Sequence, residues 1–332
     1  MSPLFFALAL FLVVLFVYMG RYSGRVRAEA TRFIAAPPAT VQAAVADLAR
    51  WHDWNPWLEH ARDARATMSG DTLAWDVPHV GRGELHALKA PSAQALRQRL
   101  RFWLPFAFKG RSDWRFDPAP GGTQVTWRFK GRVAFTLRAF AGTVQGATAL
   151  DLRFGLDRLA AALQAEPSPY TLAYLGVQDQ PARRHVQQPL RTRLDALAVE
   201  LPSCVTDVRV ELSKAGLPSG GIAVAHYLKT HLKLRTVECR AGVDLPDPAD
   251  SHDLSELPNG LKLHEEPAHP AYVLRFDGAP EALELAWYQA MQRLRVEQRQ
   301  PHPLLPPSAR YLMESVPGHP GTVELHLPLK SG

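Results

Sequence analysis

The run Ala95-Leu-Arg-Gln-Arg-Leu-Arg-Phe102 alternates with a period of two. Leu96, Gln98, Leu100 and Phe102 fall on one side of an extended chain, and Arg97, Arg99 and Arg101 on the other. The same beat continues in 106–116, where Phe106, Phe108, Trp114 and Phe116 alternate with Lys109, Arg111, Asp113 and Arg115. It returns in 123–132, with Val125, Trp127 and Phe129 against Arg128, Lys130 and Arg132. Asp117-Pro118 and Gly121-Gly122 supply the turn between the last two runs. Three such strands, each with one apolar and one basic face, describe an antiparallel sheet covered on one side. The cover is expected in 136–163, where Leu150, Phe154, Leu159 and Leu163 can form a helical stripe despite glycines at 142, 146 and 155.

Upstream of the sheet, Val41, Ala44, Val45 and Leu48 have helical spacing, and Trp51, Trp54 and Trp57 follow, with Asn55-Pro56 breaking the helix between them. Further upstream, Leu4 to Met19 carries no charge. About 16–18 residues rising ~1.5 Å each give ~25 Å of helix, which predicts a transmembrane helix with snorkelling flanks. Tyr18 and Tyr22 stand where interfacial aromatics belong, and Arg21, Arg25, Arg27 and Arg32 follow. The positive-inside rule then predicts a single-pass inner-membrane protein with its bulk in the cytoplasm, residues 1–27 being anchor and short linker. The alternative is a cleaved secretion signal near Ala28-Glu29-Ala30, giving a periplasmic protein in which Cys204 and Cys239 could pair. A charge-free start and a long basic stretch before that site weigh against it.

The chain has 332 residues, enough for two domains. With 46% apolar and 21% charged residues it is neither disordered nor wholly membrane-embedded, and two cysteines exclude a disulfide scaffold. The net charge of +6 is unevenly split: residues 1–165 carry 21 Lys/Arg against 12 Asp/Glu, and the remainder 17 against 20. The basic face of the sheet, including Arg97, Arg99, Arg101, Arg111, Arg128 and Lys130, reads either as a solvated outer face or as a surface lying against anionic lipid. A protein partner docking there is a third reading. Nucleic acid is not expected, because the strands lack exposed aromatics for stacking and no helix-turn-helix occurs.

An Ile34-x-Ala-Pro-Pro38 start, "WHDWNPW" at 51–57, "GRGELHAL" at 81–88, "GGTQVTWRFKG" at 121–131 and a closing helix occur in that order. Residues 28–165 thereby resemble the START-like polyketide cyclase/lipid-transport (SRPBCC) superfamily. The resemblance implies a helix-grip fold, a curved antiparallel sheet holding a long helix around an apolar cavity, and binding of a hydrophobic small molecule. Trp54, Trp57, Trp75, Phe102, Trp114 and Trp127 are then candidates to line that cavity, the alternative for each being plain core packing.

Glu166-Pro167-Ser168-Pro169 reads as a linker, and residues 170–332 contain an internal repeat, 170–245 and 260–330. Tyr170–Gly176 is echoed by Tyr272–Gly278, Ala225–Leu228 by Ala309–Leu312, and Thr236–Glu238 by Thr322–Glu324. Helix-like stretches at 189–201 and 281–294 lie between, so each copy reads strand-helix-strand-strand, the two pairing about a pseudo-twofold axis. The whole is of the α+β class. "GTVELHLPLK" at 321–330, "LPNGLKLHEEPAHPAYVLRFDGAPEAL" at 257–283 and "AWYQAM" at 286–291 resemble the GyrI-like effector-binding domain of transcription activators. The usual glycine near His269-Pro270 is absent, and 301–307 is unusually rich in proline.

Alternation puts Val323, Leu325, Leu327 and Leu329 on one face and Glu324 with His326 on the other. Glu324 is expected in a groove between the repeats, with Glu238 symmetry-related and Tyr227, Tyr311 and Trp287 flanking. Such a carboxylate suits a cationic amphiphile, and the resemblance implies that role. The alternative is a hydrolase or cyclase in which Glu324 works with Tyr311 or Tyr227 as acid/base groups. His264-Glu265-Glu266-Pro267-Ala268-His269 is not a helical zinc motif, since its histidines are five apart and Pro267 interrupts them. No cofactor or metal is called for, and Cys204 and Cys239 read as buried small residues. The expectation is a membrane-anchored protein that senses, sequesters or transfers hydrophobic or amphipathic small molecules.

Overall fold

The computed structural model describes residues 3–58, 66–77, 81–104, 107–164, 170–245, 257–258, 260–313 and 321–330. They fall into two compact units, Met1–Ser168 and Pro169–Gly332. The expected linker at 166–169 and Phe106 lie outside the described residues.

In the first unit, helix α1 (Pro3–Gly20) is followed by strand β1 (Arg25–Ile34) and helix α2 (Pro38–Ala46). Pro38 opens α2, where a proline sacrifices no helical hydrogen bond. Strands β2 (Thr67–Ser69), β3 (Thr72–Val77), β4 (Gly81–Ser92), β5 (Ala95–Leu104), β6 (Phe108–Ala119) and β7 (Gly122–Val133) lead to the long helix α3 (Ala141–Gln164). The sheet is antiparallel throughout, in the order β1-β7-β6-β5-β4-β3-β2. Gly121, at φ 78°, makes the β6–β7 turn. The alternation holds: Gln98, Leu100, Phe102, Trp114, Phe116, Val125, Trp127 and Phe129 are buried. On α3 the stripe that joins this core is Leu152, Leu156, Leu159 and Ala160, and Leu150 and Phe154 are buried outside it.

Two expectations for this unit change. The first strand begins at Arg25, five residues after α1, so Arg25 and Arg27 belong to the sheet and not to a linker. The transmembrane helix is not supported: among the described residues no helix is long and apolar enough to cross a membrane. The described side chains of α1, Phe5 to Gly20, rise ~24 Å against a hydrocarbon core of ~30 Å. They are apolar on every side and most are exposed, although Phe16 packs on Phe135 with ring centroids 4.8 Å apart.

The second unit runs β8 (Tyr170–Gln180), β9 (Arg183–Arg193), α4 (Leu197–Lys214), β10 (Ala223–His231), β11 (Thr236–Asp244), β12 (Lys262–Glu266), β13 (His269–Gly278), α5 (Leu283–Val296), β14 (Ser308–Met313) and β15 (Gly321–Pro328). One antiparallel sheet has the order β12-β9-β11-β10-β14-β15-β13-β8, whose two halves mirror each other. Each repeat is therefore strand-strand-helix-strand-strand, and its first strand pairs with the other repeat: β8 with β13, β12 with β9. Tyr170–Gly176 and Tyr272–Gly278 are thus sheet neighbours, Tyr170 facing Gly278, and not symmetry mates. The expected helix at 189–201 also shifts. Pro189–Arg193 is strand, and α4 continues through Pro202 to Lys214, burying Leu201, Cys204, Val205, Val208 and Leu212. The other two echoes do occupy equivalent strands, and the pseudo-twofold passes through the facing pair Ala225 and Ala309.

Candidate functional site

The aromatic residues expected to line a cavity in the first unit touch one another. Trp114 and Trp127 stack at 4.1 Å, and Trp54 meets their edges at 6.0 and 6.1 Å. Trp57 stacks on Trp75 at 6.5 Å and abuts Phe102 at 5.3 Å, which in turn stacks on Phe108 at 4.5 Å. Trp54, Trp75, Phe102, Trp114 and Trp127 are all buried and belong to one core cluster. Their ring nitrogens are mostly provided for: Trp114 donates to Gln98 Oε1 at 2.9 Å, Trp127 to Ser112 Oγ, and Trp57 to Asp151 at 3.1 Å. Gln98 sits among apolar residues for this reason. For these six, core packing is the reading the geometry favours over a ligand-lined hollow.

The opposite face of the same sheet is organised in rows by its register. One row reads Arg25, Arg132, Lys109 and Arg101 across four strands, and the next reads Arg27, Lys130, Arg111 and Arg99. Each neighbour in a row is directly opposite a like charge, which costs stability. All eight are exposed, and among the described residues only Arg111 has a carboxylate within ion-pair distance. A third row reads Glu29, Arg128, Asp113 and Arg97 and is neutralised internally, with Arg128 on Glu29 at 2.8 Å and Arg97 on Asp113 at 3.0 Å. Of the cations expected to face lipid, Arg97, Arg128 and Arg111 are thus paired, while Arg25 and Arg27, not named in that expectation, stand in the cationic rows. An open cleft of about 380 Å³ lies at the β1–β7–β6 end of the first two rows, lined by Arg25, Arg27, Lys109, Lys130 and Arg132.

In the second unit the sheet alternation separates residues expected together. Tyr227 and Tyr311 lie on the face that carries the helices: their hydroxyls are 3.3 Å apart, and Trp287 of α5 packs on Tyr227 at 4.9 Å. Glu324 faces Arg310 and Arg275 in the register, on the other side. Among the described residues Glu324 and the two tyrosines thus lie on opposite faces of the sheet. Burial acts to raise the pKa of Glu324, but the hydrogen bond from Arg275 at 2.8 Å and His326 at 3.4 Å hold it below the usual carboxylate range. Glu238 lies on the equivalent strand but two residues out of register, the position that matches Glu324 being Arg240, and it has Arg191 at 3.6 Å. Both carboxylates already have a cation.

What the sequence reading missed is a buried polar cluster on that same face. His185 (β9) lies between two carboxylates, with Nδ1 2.7 Å from Asp244 and Nε2 3.0 Å from Glu266. Glu266 also stands 3.4 Å from His226 Nε2, and Arg310 holds Asp244 at 2.5 Å. Burial works against charge on His185, yet the two carboxylates raise its pKa, and burial lowers that of His226. Burial, with Arg310 beside it, lowers His326 to about 4. No local motif could reveal this cluster, because its members come from six strands.

The family model described as polyketide cyclase / dehydrase and lipid transport matches residues 25–164. No curated protein matches the chain. Among solved structures, protein MLL2253 from Mesorhizobium loti is 15% identical, with 42% of this chain and 98% of that one covered and a TM-score of 0.33. TTHA0849 from Thermus thermophilus is 19% identical over 42% and 97%, at 0.31. The EcmrR C-terminal domain is 15% identical over 49% of this chain and 99% of that one, at 0.36.

Proposed function

We propose that this chain binds an amphipathic small molecule of the lipid class at an anionic membrane surface. The observation that carries the proposal is the pair of cationic rows, in which among the described residues only Arg111 is paired, opening into a cleft that begins at Arg25, five residues after α1. A sheet that faces cation with cation six times in succession gives up stability, and an anionic partner offsets that cost. Phosphate-bearing headgroups supply the charge, each basic group near such a surface contributing on the order of 1 kcal/mol. The match of residues 25–164 to a family that includes lipid transport supports the ligand class.

In this reading α1 enters the hydrocarbon layer, and Tyr18, Tyr22 and Arg21 mark the interface. The cleft holds the headgroup, and the apolar part of the ligand stays with the bilayer. Sensing, sequestration and transfer all begin with this step.

The test uses the full chain and two vesicle types, phosphatidylcholine alone and phosphatidylcholine with phosphatidylglycerol. Partitioning onto the anionic vesicles exceeds that onto neutral ones by at least about tenfold, and the excess falls with salt. Lys109→Glu with Lys130→Glu removes the excess and leaves the neutral-vesicle binding of α1 in place. Equal partitioning onto both vesicle types sinks the proposal.

A further inference from the structure

We propose that His185, His226 and Glu266 form a binding site for a divalent transition-metal ion of the zinc class. The three come from β9, β10 and the end of β12, and their donor atoms all lie within 4.8 Å of one another, fully buried. Glu266 Oε2 is 3.0 Å from His185 Nε2 and 3.4 Å from His226 Nε2. A tetrahedral ion with bonds of ~2.0–2.1 Å holds its ligands ~3.3 Å apart, so these two edges already have nearly the required length.

The outward nitrogens of both imidazoles are provided for, as metal-bound histidines require. His185 Nδ1 donates to Asp244 Oδ1 at 2.7 Å, and Asp244 is itself fixed by Arg310. The side-chain amide of Gln187 lies against His226 Nδ1, with Nε2 at 2.8 Å and Oε1 at 3.2 Å, and turning that amide over offers its oxygen as the acceptor for the proton Nδ1 carries when Nε2 binds metal. A fourth imidazole, His264, packs with its ring 5.2 Å from that of His226 and 6.2 Å from that of His185, and the latter two are 4.9 Å apart. Rings on one tetrahedral ion sit ~5 Å apart. His264 Nε2 is buried without a hydrogen-bond partner, and so is His269 Nε2, which stands 3.6 Å from Glu266 Oε1. Either imidazole is placed to supply a fourth donor, and Arg240, 3.5 Å from His264 Nδ1, disfavours His264.

The stretch His264–His269 thus contributes to a metal site, but not as a helical motif. In strand β12, residues 264 and 266 share a face, and the partners arrive from neighbouring strands. Glu266 and Asp244 balance the ion's charge. Two imidazoles and a carboxylate select zinc, cobalt or nickel over magnesium or calcium.

The experiment strips the purified full chain with a chelator, removes the chelator and titrates zinc and cobalt separately. Expected are one equivalent of zinc per chain by elemental analysis and an intense visible cobalt absorption of tetrahedral type. His226→Ala and Glu266→Gln abolish that equivalent. Gln187→Ala, which leaves all the ligands in place, weakens it by about tenfold or more. Glu324→Gln leaves it unchanged, and circular dichroism establishes that each variant is folded. Failure of the wild-type chain to retain zinc would mean that His185 is simply an imidazolium held between two carboxylates, and the proposal falls. Undiminished zinc binding in folded His226→Ala and Gln187→Ala overturns it equally.

Discussion

The hydroxyls of Tyr227 and Tyr311 lie 3.3 Å apart where the two halves of the second sheet meet. The residues are pseudo-symmetry mates, two positions beyond Ala225 and Ala309, and their strands bring them to the axis on the helix-bearing face. Removing one hydroxyl leaves the other with a lost partner in a buried setting, which costs about 1–2 kcal/mol. Removing both takes away the unsatisfied group as well. Tyr311→Phe is therefore expected to lower unfolding free energy in urea by about 1–2 kcal/mol, and adding Tyr227→Phe to cost distinctly less than a second such step. Additive losses would show that the two hydroxyls do not depend on each other.

Gly155 sets two known effects against each other. As an interior position of α3, replacement by alanine gains about 1 kcal/mol of helix propensity. A Cβ there, however, would stand 2.7 Å from the ring of Trp127 and 3.0 Å from Pro56. Trp127 is wholly buried and stacked on Trp114, so it has nowhere to move. Overpacking of about 1–3 kcal/mol outweighs the propensity gain. Gly155→Ala is expected to lower stability by up to about 2 kcal/mol in denaturant unfolding, whereas a gain would mean that the helix slides freely over the sheet.

How much of this was legible depends on how local each signal is. The first sheet could be read because Leu96 to Phe129 alternate within single strands, and the side expected inside is the buried or half-buried one, Phe106 lying outside the described residues. The charge rows could not, because Arg25 meets Arg132 only through a register spanning the domain. In the second unit the echo of Ala225–Leu228 in Ala309–Leu312 found the axis. The echo of Tyr170–Gly176 in Tyr272–Gly278 misled, because adjacent strands share alternation without sharing symmetry. The faces of Glu324 and Leu325 followed from period two. That Tyr311 sits opposite Val323, away from Glu324, needed the pairing of β14 with β15.

Both cysteines are free and buried, and burial pushes the Cys239 thiol up to about 12. The folded pKa then exceeds the unfolded value of about 8.5. The neutral thiol's contribution to stability is complete below about pH 8.5 and is lost as the pH rises through about 12. At about pH 8 the native chain is expected to react with a thiol-specific disulfide reagent at least about tenfold more slowly than the unfolded chain. Rapid labelling of both thiols in the native protein would contradict their placement.

The cationic rows predict that stability and membrane binding move in opposite directions. Lys130 stands in the register between Arg27 and Arg111, both of like charge. Lys130→Glu converts two repulsive cross-strand contacts into attractive ones, each worth about 0.2–1 kcal/mol. The variant should therefore unfold at higher urea than the wild type in low salt. The gain should shrink as salt screens exposed charges over ~8–10 Å. The same substitution should weaken binding to phosphatidylglycerol vesicles. At Arg128, whose charge is already met by Glu29 at 2.8 Å, the corresponding Arg128→Glu places acid beside acid and should destabilise the fold. A loss of stability in Lys130→Glu as large as in Arg128→Glu would mean that the two rows are not under the repulsion that their register imposes.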